Sequence, residues 1–418
     1  MTQRALSLSD TDFSVTKKRK IPRMLRNFLA LFSCLIFLTV TGTVSAASMQ
    51  LDAPIGVLID AESGAVLFDR KAHERINPGE LTCLMTLYTA LKLSEEKAKE
   101  ASSSVPVYYE DTQRSQSSRR IYLVSGTYVP LHTLLQSIAV VGAEDSCLAA
   151  ARFLSGSYES FVQDMNRLAR DIGMTDSAFT FPIDSKNQTS SAYDLALLAN
   201  QMRIEFPEAF AWFSQAEFSF SGHTQKNCNL SLWKSPSING VMASTSNLNV
   251  ISSWLRQENE KTIPRSLISV VLKGKNREKT IDESFNLLRQ GWLNYETIKL
   301  FDDNTTIARL DVLKGNRDKL EVGFSRAVWV TVPHKLLIAR GTGGFSTRVV
   351  YMHPLVAPIK KGEKIGTLQV AFEQKPIASF PLYARHDIGQ GGFISRLIDA
   401  VRLKTTENYS SGHETRSK

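Results

Sequence analysis

A chain of 418 residues with 43% apolar composition can bury a substantial core and is long enough for two domains. Its formal charge of +9 does not mark a nucleic-acid binder: residues 1–46 hold seven Lys/Arg against two Asp/Glu, and the rest is nearly balanced, 43 against 39. Seven histidines without metal-ligand spacing give no reason to expect a metal or another cofactor.

The first 46 residues read as an export signal rather than as part of the fold. Lys17-Lys18-Arg19-Lys20, Arg23 and Arg26 form a basic region, Phe28 to Val40 an apolar one, and Val44-Ser45-Ala46 or Ser45-Ala46-Ala47 a small-residue cleavage site. Threonines interrupt the apolar run before it reaches membrane-spanning length, which favours cleavage over an uncleaved anchor; initiation at Met24 is a further alternative. Export implies an oxidising compartment. Cleavage leaves Cys83, Cys147 and Cys228, an odd number, and a domain of this size needs no disulfide framework.

Ile55 to Asp60 reads as a strand, Ala61-Glu62-Ser63-Gly64 as its turn and Ala65 to Phe68 as the return, forming a hairpin. Leu81 to Ser94 has helical spacing. Leu131 to Leu154 is apolar and alanine-rich, as in buried helices. Phe161 to Ile172 is an amphipathic helix closed by Gly173, and Tyr193 to Met202 is another. The β-branched run from Arg265 to Leu272 is a strand, followed by a helix from Ile281 to Leu293. This order predicts an α+β domain, a sheet flanked by helices, over residues 47–298.

From Lys299 the texture changes to short β segments, such as Ala327 to Val332 and Thr367 to Phe372, between Gly-, Pro- and Lys-rich turns. A small all-β domain is expected over 299–387. Residues 388–404 follow as a flexible glycine hinge, Ile388 to Gly392, and a basic amphipathic helix. In that helix Phe393, Ile394, Leu397, Ile398 and Val401 share a face that would lie on a membrane surface or dock on its own domain. The polar tail 405–418 is expected to be disordered.

The segment NPGELTCLM (residues 77–85), the hairpin before it, Phe161 to Asn166 with Gly173-Met174, Ser190 to Leu197 and Ile238 to Val241 together resemble the low-molecular-weight penicillin-binding proteins. These are serine-type D-alanyl-D-alanine carboxypeptidases, which trim peptidoglycan stem peptides. The resemblance runs from about Ala53 to the amphipathic helix. It implies a penicillin-binding-protein/β-lactamase-like transpeptidase domain, a β domain and a membrane-lying helix.

Three motifs carry that family's chemistry. In Ser-x-x-Lys the lysine helps deprotonate the attacking serine. The flanks Pro78 and Leu81-Thr82 place Glu80 at the serine position and Cys83 at the lysine position. The Ser-x-Asn positions hold Gly142 and Glu144, and the Lys-Thr-Gly positions hold Met242, Ala243 and Ser244. All three motifs are therefore replaced. If both glutamates ionise, the pocket loses about four units of charge, each worth on the order of a few kcal/mol at a few ångströms.

The resemblance thus implies an inactive homologue that binds peptidoglycan or a cell-wall or divisome protein, exported and attached peripherally to the inner membrane. The alternative is an enzyme using Cys83 as nucleophile or Glu80 and Glu144 as an acid/base pair. Against it, Cys83 sits one turn beyond the nucleophile's place, and a salt bridge from a glutamate to Arg119 or Arg120 is the simpler use of those carboxylates. Arg114, Arg119 and Arg120 flank a polar loop, read as solvated or as contacting an anionic glycan or partner. Cys147 reads as a packed core thiol, and Ser244 and Ser246 as strand-end serines without a base.

Overall fold

The structure is a computed structural model and describes residues 2–8, 49–113, 119–244, 246, 248–256 and 265–392. The apolar part of the leader, Arg114 and the Phe393 to Lys404 segment with its membrane-facing residues lie outside these. The chain divides into two compact units, residues 47–297 and residues 1–46 with 298–418.

The 47–297 unit is built on a five-stranded antiparallel sheet. Its strands lie in the order Val66–Arg70, Ile55–Asp60, Arg265–Leu272, Val250–Arg256, Ile238–Ala243. The two-residue period sorts the side chains of the central strands. Val57, Ile59, Ile268 and Val270 enter the large helical core, while Leu58, Leu267 and Val271 join smaller clusters with Leu287 and Leu288 of the Arg277–Asn294 helix. A Cβ at Gly291 would come within 2.7 Å of Leu58 and 2.8 Å of Leu267, so the glycine lets that helix approach the sheet.

The first turn and pairing follow the sequence reading. Asp60, fully buried, accepts the backbone N–H of Ser63 at 3.0 Å and closes the hairpin turn. It also takes the Arg265 guanidinium at 2.9 Å, which pins the two central strands together.

The helical side is centred on Thr82–Glu96, in which ten residues are buried. It packs against Leu131–Val141, Glu144–Ser155, Tyr158–Asp171 and Ala192–Glu205. The apolar run from Leu131 to Leu154 is two helices because Gly142 takes a left-handed conformation, φ +72°, between them.

In the second unit a seven-stranded sheet holds Lys319–Gly323, Thr306–Leu313, Phe345–His353, Lys364–Phe372 and Lys375–Ala384. Its core gathers Val322, Leu320, Val349, Leu368, Val370 and Leu382. Two features depart from the sequence reading. Thr2–Leu8, within the expected leader, is a strand antiparallel to Phe345–His353. The segment expected as a free hinge is pinned from Ile388 to Gly391. Ile388 exchanges two backbone hydrogen bonds with Ile359, Asn316 N–H donates to Gly389 at 3.0 Å, and Gly391 N–H donates to Lys314 at 2.8 Å. Backbone pairing and the burial of Ile388 outweigh the freedom that glycine confers.

Candidate functional site

Local hydrogen bonds give the junction before the central helix one shape. Gly79, at φ +61°, follows Asn77 and Pro78, and the Asn77 carboxamide oxygen accepts the Gly79 N–H at 2.9 Å. The Asn77 amide donates to Ser185 O at 2.9 Å. A short 3-10 turn, Gly79–Leu81, passes into the Thr82–Glu96 helix. Thr82 Oγ1 donates to Gly79 O and accepts from Gln188 Nε2, each at 2.7 Å. Glu80 is therefore held on a buried, hydrogen-bonded turn, and Cys83 in the first turn of the helix that follows it.

One side chain gathers the residues singled out in the sequence. Arg119 is 4% exposed. Its Nη2 lies 3.3 Å from Glu80 Oε2 and also donates to the carbonyl of Ala243, at the end of the edge strand. A Cβ on Gly142 would come within 2.9 Å of its Nη1, so the guanidinium rests against that glycine. The Arg119 carbonyl accepts the backbone N–H of Glu144 at 3.0 Å. Three separate parts of the chain, at Glu80, at Gly142 to Glu144 and at Ala243, thus converge on one arginine.

Arg119 is therefore not a solvated loop residue. The ionic partner foreseen for a glutamate is present at Glu80, and it returns one positive charge to a site otherwise enriched in carboxylates. Glu80 still acts on its surroundings. Asp184 is raised above the usual carboxylate range, first by partial desolvation and then by the Glu80 charge.

The remaining residues are packed rather than presented. Cys83 is fully buried, with Sγ 3.9 Å from Gly142 O. Cys147 is also fully buried; desolvation, and then its contact with Cys83, hold its thiol well above the ordinary range. Met242 belongs to the large helical core, whereas Ala243 packs with Val250 and Ile281. Ser244 is 1% exposed, and its N–H donates to Asn249 O at 2.8 Å. Glu144 is buried at the start of its helix. Among the described residues no group of His, Cys, Asp and Glu is arranged to hold a metal ion.

The sequence reading missed the convergence on Arg119 and the role of Asp145. The Asp145 carboxylate accepts the N–H groups of Ile121 at 3.2 Å and Leu123 at 3.1 Å, fixing the segment that follows Arg119. An acid inside a largely apolar, alanine-rich run was the available signal.

Comparison with known proteins agrees with this architecture. Residues 41–276 match the D-alanyl-D-alanine carboxypeptidase family, and residues 295–390 match the penicillin-binding protein 5 C-terminal domain. The chain is 30% identical to D-alanyl-D-alanine carboxypeptidase DacC of Escherichia coli over 92% of its own length and 95% of the relative's. It is 28% identical to DacA of the same organism over 85% and 88%. Penicillin-binding protein 5 of Haemophilus influenzae superposes with a TM-score of 0.72 at 27% identity, covering 82% of this chain and 98% of that one. The chain belongs to the D-alanyl-D-alanine carboxypeptidase family of low-molecular-weight penicillin-binding proteins, and its fold is that family's mixed α/β domain followed by a β-rich domain.

Proposed function

We propose that this chain is a non-catalytic member of its peptidoglycan-processing family and acts by binding peptidoglycan or a protein of the cell-wall machinery. The carrying observation is the position of Arg119. Its side chain pairs with Glu80, rests against Gly142 and bonds the Ala243 carbonyl. In the motif assignment these are the places of the nucleophile, the proton-relay serine and the substrate-clamping strand. An active site of this kind needs a hydroxyl beside a base and open space where the substrate carbonyl sits. Here a carboxylate and a guanidinium neutralise each other in that space, and an apolar methionine and a buried thiol stand where lysines would be.

The alternative enzyme reading needs an accessible Cys83 or an uncommitted Glu80. The burial of the first and the ionic pairing of the second weigh against it. The leader composition supports export, and the 393–404 pattern supports peripheral attachment to the outer face of the inner membrane. No helix among the described residues is long and apolar enough to cross a membrane.

Labelling with a fluorescent penicillin, beside an active family member, tests the reading. No covalent adduct on the purified mature protein is expected. A stable adduct would overturn it, and the labelled peptide would identify the nucleophile that replaced the serine.

A further inference from the structure

The stretch that leads into the 393–404 segment is built into the second unit rather than hung from it. It runs antiparallel to residues 314–321: Arg385 N–H donates to Glu321 O and Asn316 N–H to Gly389 O, each at 3.0 Å, and Gly391 N–H to Lys314 O at 2.8 Å. On its other side Ile388 pairs with Ile359, and Lys361 N–H donates to the Asp387 carboxylate at 2.7 Å. Two residues reach at most about 7 Å beyond Gly391. A surface that holds the chain from Phe393 onward therefore comes against this end of the unit.

That end is basic and partly apolar. Its two loops, 314–319 and 360–364, hold six Lys/Arg against Asp318 and Glu363, and Asp387 lies on the stretch between them. Lys319 is engaged by Asp311 at 2.5 Å. Glu363 accepts the Lys360 N–H at 3.1 Å and Asp387 that of Lys361, so both carboxylates are turned onto the backbone of the 360–364 loop. Glu363 N–H donates to Lys360 O at 3.0 Å, closing a tight turn with Gly362 at φ +82° and Lys361 at its tip. Arg317, Lys360 and Lys361 are exposed, and no ion pair among the described residues engages them. From Leu355 to Lys360 burial alternates strictly: Leu355, Ala357 and Ile359 are buried, and Val356, Pro358 and Lys360 are exposed.

We propose that this end of the second unit is a further membrane-contact surface, which binds the anionic headgroups of a phospholipid bilayer. It rests on the reading above that the 393–404 pattern attaches the chain peripherally to a membrane, and deepens it by naming the lipid class and a second contact. Interfacial attachment combines apolar side chains at the headgroup boundary with cations facing anionic lipid. Val356 and Pro358 supply the first. Arg317, Lys360 and Lys361 supply the second, on stems long enough to carry their charges past the carboxylates bound to the loop. The course of the chain favours a bilayer over a protein partner, because the surface lies at the root of the basic amphipathic segment. Since that root is hydrogen-bonded on both sides, the two contacts together fix how the unit stands on the membrane.

Vesicle flotation of the full mature protein tests this, with vesicles of phosphatidylcholine alone and of phosphatidylcholine mixed with phosphatidylglycerol. Binding is expected to be tighter on the anionic vesicles. The variant Arg317→Gln/Lys360→Gln/Lys361→Gln should weaken that binding about tenfold or more and change binding to the neutral vesicles little. Lys335→Gln/Arg348→Gln/Lys375→Gln removes the same charge at exposed positions elsewhere on the unit and should bind as the parent does. Equal binding of the parent to both vesicle types, undiminished anionic binding of the first variant, or equal weakening in the second overturns the proposal and leaves the attachment reading standing. A parent that floats with neither vesicle type overturns both.

Discussion

Arg119 Nη2 lies 3.3 Å from Glu80 Oε2, with the two side chains 5% and 7% exposed. Neither charge can be well solvated by water, so each depends on the other and on the backbone around it. Removing one partner leaves a buried charge uncompensated and costs about 3–5 kcal/mol, whereas replacing both with apolar groups is far less damaging. Glu80→Leu and Arg119→Met should therefore each lower the unfolding free energy by that order. The double variant Glu80→Leu/Arg119→Met should recover most of the loss. Urea unfolding of the four proteins measures the coupling; additive losses would mean that the pair is not mutually dependent.

Gly142 supplies the space for this arrangement. Its φ of +72° disfavours any side chain, and a Cβ would meet Arg119 Nη1 at 2.9 Å. Gly142→Ala should cost about 1–2 kcal/mol from backbone conformation, with a further cost from displacing the arginine. The Arg119→Ala background should remove the second part and leave the first. An equal loss in both backgrounds would show that the guanidinium yields without cost.

The sequence made the framework legible because much of it is local. The Ser63-Gly64 turn, the β-branched run Arg265–Leu272 and the period of Tyr158–Asp171 each declare an element through neighbours a few residues away. The site was legible only in part. Motif flanks identified Glu80, Gly142 and Ala243, but the arginine that joins them bonds a carbonyl 124 residues away. No local pattern encodes that meeting. Composition misled at Ile388 to Gly391 for a related reason: it describes the freedom of an isolated segment, not the hydrogen bonds the segment finds.

Cys83 and Cys147 are both fully buried, and the Cys147 thiol is held protonated by desolvation first and by the adjacent Cys83 second. Maleimide attacks thiolates, so neither cysteine should label in the native protein, and both should label rapidly in urea. Peptide mapping after a short pulse reads the outcome. Rapid native labelling of Cys83 would restore the thiol-enzyme alternative.

Asp145 makes stability depend on pH in a direction unusual for an acid that accepts hydrogen bonds. Burial raises its carboxyl above the ordinary carboxylate range, and the N–H groups of Leu123, Ile121 and Ser146 only partly oppose this. A raised folded value means that the folded state keeps the proton longer than the unfolded chain. The contribution is therefore most favourable below the ordinary range and is lost as pH rises through the raised value. Asp145→Asn cannot titrate, and its carboxamide places an N–H₂ opposite backbone donors, so its overall stability should be lower. Unfolding free energies measured across about pH 4 to 7 should nevertheless show less decline with rising pH in the variant than in the parent. Parallel curves would mean that this carboxylate is already ionised throughout that range, with its three N–H partners outweighing the cost of burial.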